Sequence, residues 1–239
     1  DDHFLVIEAA QAWVDGVIVP GRPIAPGVEI IPDGHSMFYM GLHFLLFKLL
    51  QLVNITDPLF KMLIVRNIQA AASVYSVWLV YKITEKISTQ KDAVLAGLLM
   101  ASIWFLPMLS VRNLVEEFCI PFTLAGIWCL INADLKKYPF VMYLISGLIL
   151  GLSISVRFQL IVLVGGIGLV LLIQRQWLPV IMVGIGTIIS ILLLQGVVDY
   201  YIWGQPFAEF IEYYESNLQV AYDYITGPWY NYLLLLAGI

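Results

Sequence analysis

The chain has 239 residues, of which 61% are hydrophobic and only 12% charged, and its mean hydropathy is +0.88. A water-soluble domain cannot hide that much apolar surface, so the sequence is that of an integral, multi-pass membrane protein. The net charge of −5 excludes a basic surface for nucleic acid, and no nucleic-acid partner is expected.

In chain order, the opening residues DDHFLVIEAAQAW are polar and acidic, with Asp1, Asp2, His3 and Glu8. Two such aspartates read either as a solvated or helix-starting pair, stabilised by the helix dipole, or as paired carboxylates able to supply a general base. His3 reads as their neighbour or as a helix-start residue rather than as a metal ligand. Residues 37 to 53, MFYMGLHFLLFKLLQLV, are apolar enough to cross a bilayer, yet they carry His43 and Lys48, which are costly at its centre. A full crossing would also put residues 1 to 36 on the side opposite every other polar cluster. The expectation is therefore a helix in the outer interface, with a full span as the alternative.

Apolar stretches close to bilayer length follow at 61 to 84, 92 to 110, 115 to 133, 140 to 156, 158 to 173 and 177 to 195, and another starts near 230. The runs are long and lack strand alternation, so α-helices that satisfy their own backbone groups are expected. The fold class is an all-α polytopic bundle. It divides into a first extracytoplasmic loop with an interfacial helix (1–60), six spans (61–195), an aromatic and acidic extracytoplasmic loop (196–229) and the start of a further span (230–239). The last stretch is too short to cross, so the chain is expected to be part of a longer one. Small residues in AGLLMAS, SGLILGLS and VGGIG allow close helix approach, as in ordinary membrane packing. Cys119 and Cys129 lie about 15 Å apart along one helix and cannot bridge each other. No metal-ligand spacing is present, and no metal is expected. Asn54 opens an N-I-T sequon, a pattern common by chance.

Lys and Arg in short loops mark the cytoplasmic side. Lys82, Lys86 and Lys91, then Lys136 and Lys137, then Arg175 occupy loops separated by pairs of spans, so they share one side. The opposite, extracytoplasmic side receives Asp1, Asp2 and Glu8; Arg112, Asn113, Glu116 and Glu117; Arg157 and Gln159; and the segment from about Gly196 to Trp229, which has no Lys or Arg and carries Asp199, Glu209, Glu212, Glu215 and Asp223. Ionisable residues gathered at one interface point to a polar ligand handled there.

In SVRNLVEEF, helical spacing would pair Arg112 with Glu116 and Asn113 with Glu117. The alternative gives Arg112 an anion such as phosphate, which suits its planar fork. Arg157, at a short turn between two spans, either snorkels to headgroups or contacts a lipid-linked phosphate at that depth. The many Trp, Tyr and Phe residues after Trp203 fit an aromatic belt and equally a surface for stacking sugars.

Taken together, an acidic pair in the first loop, an Arg-Asn-x-x-Glu element opening a span, an Arg at a short outer turn and the order GQPF, Asn217, GPWYNY resemble the GT-C class of integral membrane glycosyltransferases. Within that class the likeness is to mannosyltransferases of glycosylphosphatidylinositol-anchor and N-glycan assembly. The stretch from His35 to Tyr75 also looks like bacterial relatives that use polyprenyl-phosphate sugars, in which a juxtamembrane helix precedes the next span. Leu114 departs from the Thr of the family pattern, and Phe158 and Gln159 replace the Thr and Pro usual beside the outer Arg.

The resemblance implies a GT-C fold and transfer of a hexose, mannose or a relative, from a polyprenyl-phosphate sugar to a hydroxyl of a glycan or lipid-linked acceptor, with inversion. It places Asp1 on the catalytic aspartate and Asp2 on the acidic residue after it. It also places Glu8, Asn113, Glu116, Asn217 and Trp229 on family motif positions at the substrate site, where Arg112 and Arg157 would stabilise the phosphate. The lipid-phosphate sugar is a substrate, and no further cofactor is implied. The abrupt acidic beginning is expected to be the edge of an active-site loop whose anchor lies upstream. The competing expectation is a transporter or flippase, which would place its ionisable groups near mid-membrane in broken, repeated helices; a membrane scaffold is a third.

Overall fold

The computed structural model describes residues 3–17, 32–135, 137–223, 228 and 230–236. Among them every regular element is helical, so the all-α class expected from the sequence holds. A π-helical turn, His3–Glu8, leads into α1 (Ala9–Val14). Then come α2 (Met37–Leu52), α3 (Pro58–Ile87), α4 (Gln90–Ser102), α5 (Phe105–Leu109), α6 (Val115–Asn132), α7 (Pro139–Val156) and α8 (Leu160–Ile173). After these, α9 (Trp177–Ile191) continues through a π-helical segment into α10 (Val198–Trp203), and α11 (Ala208–Asp223) and α12 (Asn231–Leu236) complete the described chain.

Among the described residues, four helices are long and apolar enough to cross a membrane: α3, α6, α7 and the continuous Trp177–Trp203 helix. The apolar α2 and α8 are shorter. The stretch from 92 to 110 is divided, because Ile103 leaves the helical region (ψ 121°) and α4 ends one residue earlier. Helix starts follow local chemistry. Asp57 caps α3 by accepting from the Leu59 N–H at 3.0 Å, with Pro58 in the first turn, and Thr89 and Asp92 form a reciprocal capping box on α4.

The bundle is tightest where α7 lies between α6 and α9, and SGLILGLS supplies the contact face. A Cβ on Gly147 would collide with the backbone of Val183, and one on Gly186 with Leu144. Thr187 donates to the Gly147 carbonyl at 3.2 Å, and Ser146 donates to that of Gly126 at 2.8 Å. By contrast, Cβ atoms on Gly165, Gly166 and Gly168 of VGGIG would meet no described atom. Small residues therefore set the α7–α9 spacing and leave α8 peripheral.

At one end of the bundle, α1 and α2 pack across the start of α3 and the end of α10. Ile7, Ala10, Val14, Met37, Phe47, Val65 and Ile202 form a buried cluster there. The two polar residues that argued against a full crossing by α2 both have partners. His43 is buried and in hydrogen-bonding contact with Asn113, and the Lys48 ammonium donates to Gln51 at 3.3 Å and to the Val14 carbonyl.

Candidate active site

Helix directions bring the starts of α3, α6 and α8 and the ends of α7 and α10 to the same end of the molecule as α2 and α11. Direct contacts tie these pieces together. Ser36 donates to the Ser155 carbonyl, and the Phe158 ring meets Phe210 and Tyr213 edge-on, with centroids 5.4 Å apart in each pair. Between them lies a pocket of about 290 Å³ bordered by Asp33, His35, Ser36, Arg157, Tyr213 and Asn217.

Arg157 follows α7 in extended backbone (φ −137°, ψ 107°). Its Nη1 lies 2.6 Å from Glu116 Oε1. This differs from the spacing argument, which paired Glu116 with Arg112. The physical reason is the helix start: α6 begins at Val115, so Arg112 lies outside it and shares no helical face with Glu116. The same shift separates Asn113 from Glu117. Asn113 Oδ1 instead accepts from the Tyr39 hydroxyl at 2.7 Å and the Gln69 amide at 3.2 Å, and lies 3.0 Å from His43 Nε2. Asn113 is thereby locked between α2, α3 and the start of α6, one hydrogen bond from Tyr39, which borders the Arg157 pocket. Arg112 borders a different cavity, with Arg66.

Asn217 lines the Arg157 pocket from α11, its amide donating to the Tyr213 carbonyl at 2.6 Å. Glu8 is exposed at the end of the π-helical turn, two residues after Val6, which borders the pocket. Asp1, Asp2 and Trp229 lie outside the described residues.

The structure adds a carboxylate system that the motifs did not single out. Glu209, fully buried near the start of α11, uses one carboxylate oxygen to accept from three successive backbone N–H groups: Asp33 at 3.1 Å, Gly34 at 2.8 Å and His35 at 3.2 Å. Its own N–H donates at 3.1 Å to Asp199 Oδ2, which also accepts from the Gln195 amide at 2.7 Å. Burial, with the charges of Asp33 and Asp199 adding to it, pushes the Glu209 carboxyl up to about 8 against the opposing hydrogen bonds. At neutral pH it is thus held mainly as the neutral acid.

Two backbone features make this arrangement possible. Gly34 is left-handed (φ +80°), and a Cβ there would sit 3.0 Å from the Tyr213 backbone. Phe207 is also left-handed (φ 59°), an uncommon state for a bulky residue. Together with Gly204 (φ 72°) it reverses the chain so that α11 folds back over the pocket. Room for its ring comes from Gly196, where a Cβ would fall 2.9 Å from Phe207 Cζ.

Within the pocket, a ring nitrogen of His35 lies 3.2 Å from the Asp33 carboxylate. Hydrogen bonding to Asp33 raises the His35 pKa against its burial, and the charge of Asp33 acts in the same direction. For Asp33, burial opposes ionisation, but the hydrogen bonds and charge of His35 outweigh it and leave the carboxyl below its usual range. The sequence signal was present in the Asp-Gly dipeptide, a turn former, followed by His and Ser, but nothing local connected it to a glutamate 175 positions away from Gly34.

These features define a polytopic, all-α membrane protein with an arginine-bearing polar pocket at one end of its bundle. Residues 44–200 match the family described as dolichyl-phosphate-mannose-protein mannosyltransferase. The chain belongs to that family, and it is a membrane glycosyltransferase of mannosyltransferase-like, GT-C type. No curated protein and no solved structure matches the chain.

Proposed function

We propose that the protein transfers a hexose, mannose or a close relative, from a polyprenyl-phosphate-linked donor to a hydroxyl of a glycan or lipid-linked acceptor, inverting the anomeric carbon. The active site would lie on the extracytoplasmic face, as the Lys and Arg placement suggests. The polyprenyl chain would follow the bacterial-type relatives that the stretch from His35 to Tyr75 resembles. The supporting observation is the pocket of about 290 Å³ in which Arg157 is fixed by Glu116 beside Asp33, His35 and Asn217.

A guanidinium carries five N–H donors. Among the described residues Arg157 has no ion-pair partner besides Glu116, which leaves donors for a phosphate. A carboxylate of the opening pair, Asp1 or Asp2, takes the proton from the acceptor hydroxyl. The freed oxygen forms a bond to the anomeric carbon from the face opposite the phosphate, and the bond from that carbon to the phosphate oxygen breaks. The electron pair leaves with the lipid phosphate, whose growing charge Arg157 stabilises. The transfer needs no metal in this scheme, because the donor has no diphosphate to bridge. Asn217 and Glu8 would contact the sugar or acceptor, and Trp229 would offer a stacking face.

The test is transfer by the full-length protein from a panel of polyprenyl-phosphate sugars. Asp1→Asn is expected to lower the rate by about 10²–10⁴-fold, and Arg157→Gln by about 10²-fold, while Arg157→Lys restores little because it loses the planar fork. Undiminished transfer in Asp1→Asn and in Asp2→Asn would remove the base from this scheme.

A further inference from the structure

A second cavity at the same end holds Arg112 and Asn113, which the resemblance placed at the substrate site, but it does not include Arg157. It has a volume of about 490 Å³ and is bordered by Arg66 of α3, by Arg112 and Asn113 of the connection before α6, and by apolar side chains including Met62, Met108 and Leu114. Among the described residues neither guanidinium has a side-chain partner. Arg66 is the more demanding of the two. It is exposed and lies about 12 Å along α3 from Pro58, within a helix long and apolar enough to cross a membrane, where a cation that faces lipid without a counter-charge is costly. Two cations of like sign on one cavity repel each other until an anion joins them. The apolar walls suit the first carbons of a chain attached to that anion.

We propose that this cavity is a second anion site, separate from the Arg157 pocket, that takes the phosphate headgroup of a membrane-resident amphiphile between Arg66 and Arg112. The planar forks suit phosphate oxygens, and Met62, Met108 and Leu114 pack against the lipid stem. The site adjoins the reaction pocket through one hydrogen bond. Asn113 borders this cavity, and its Oδ1 accepts from the hydroxyl of Tyr39, which borders the other. The proposal does not depend on which sugar is transferred or on whether Arg157 holds a phosphate.

The experiment uses the full chain in phosphatidylcholine nanodiscs and a dodecyl phosphate bearing a photoreactive diazirine, with labelled peptides mapped by mass spectrometry. In the unmodified protein the expected result is labelling of the peptides that contain Met62 and Met108, competed by dodecyl phosphate but not by dodecanol or by inorganic phosphate at the same concentration. Arg66→Gln combined with Arg112→Gln should reduce that labelling by about tenfold or more, the loss expected for charge-assisted contacts. Labelling around Tyr213 should persist in the double variant, and Arg157→Gln should leave the Met62 and Met108 labelling unchanged. No labelling at Met62 and Met108 in the unmodified protein overturns the site, as does full labelling in the double variant. Equal competition by inorganic phosphate overturns the amphiphile and leaves a free-phosphate site. Loss of labelling around Tyr213 alone counts against the Arg157 pocket and not against this one.

Discussion

At the scale of single residues, Glu209 shows how a buried acid can hold a pocket in shape. One of its oxygens takes the N–H groups of Asp33, Gly34 and His35, so the loop carrying two pocket side chains is pinned to α11. In the unfolded chain this carboxyl ionises near 4.5, and in the folded protein near 8. Between those values the unfolded state sheds a proton that the folded state keeps, so stability falls as pH rises across the window. His35, whose pKa is raised, adds a loss in the same direction as pH passes its folded value, whereas Asp33, held low, acts only in acid. Glu209→Gln keeps the acceptor and removes the charge, so its thermal unfolding should change less than the parent's between pH 6 and pH 9. Equal slopes for the two proteins in that range would show that Glu209 does not carry the effect. Gly34→Ala should cost about 1–2 kcal/mol through left-handed backbone alone, read as a lower unfolding midpoint, and should lower transfer by displacing His35.

At the scale of helices, packing is decided by which glycines meet a partner. SGLILGLS and VGGIG look alike as sequence, but only the first is pressed against α9. Gly147→Ala would force a methyl into the Val183 backbone and is expected to cost about 1–3 kcal/mol by overpacking. Gly166→Ala should be close to neutral, since its Cβ meets nothing described. Thermal unfolding of the two variants in detergent checks the contrast, and equal midpoints would contradict it. Helix starts matter in the same way. The spacing argument at SVRNLVEE assumed a helix through Arg112. Once α6 starts at Val115, Glu116 turns to Arg157, Asn113 enters the Tyr39, His43 and Gln69 network, and Arg112 is left to a separate cavity. A three-residue difference in a helix boundary reassigns three side chains.

At the scale of the whole molecule, helix directions separate the charges. Lys82, Lys86, Lys91, Lys137 and Arg175 lie towards one end, while Arg157, Asp33, Glu209 and Asn217 collect at the other. Single cysteines at Ser88 and Gln205, introduced after replacing Cys119 and Cys129, should label from opposite sides of the membrane with an impermeant reagent. Labelling of both from one side would refute this topology. Composition and the length of the apolar runs determined the all-α membrane class and which loops share an end, because bilayer thickness and backbone hydrogen bonding restrict what such a chain can do. The order of short motifs was enough to suggest the glycosyltransferase class, and it marked Arg157 and Asn217, which the structure brings to one pocket. Only the tertiary structure decided that Arg157 pairs with Glu116 and that Glu209 grips the Asp33–His35 loop. It alone placed Arg66 and Arg112 on one cavity. Those contacts join residues far apart in sequence, and their partners are chosen by helix boundaries and packing that no local pattern specifies.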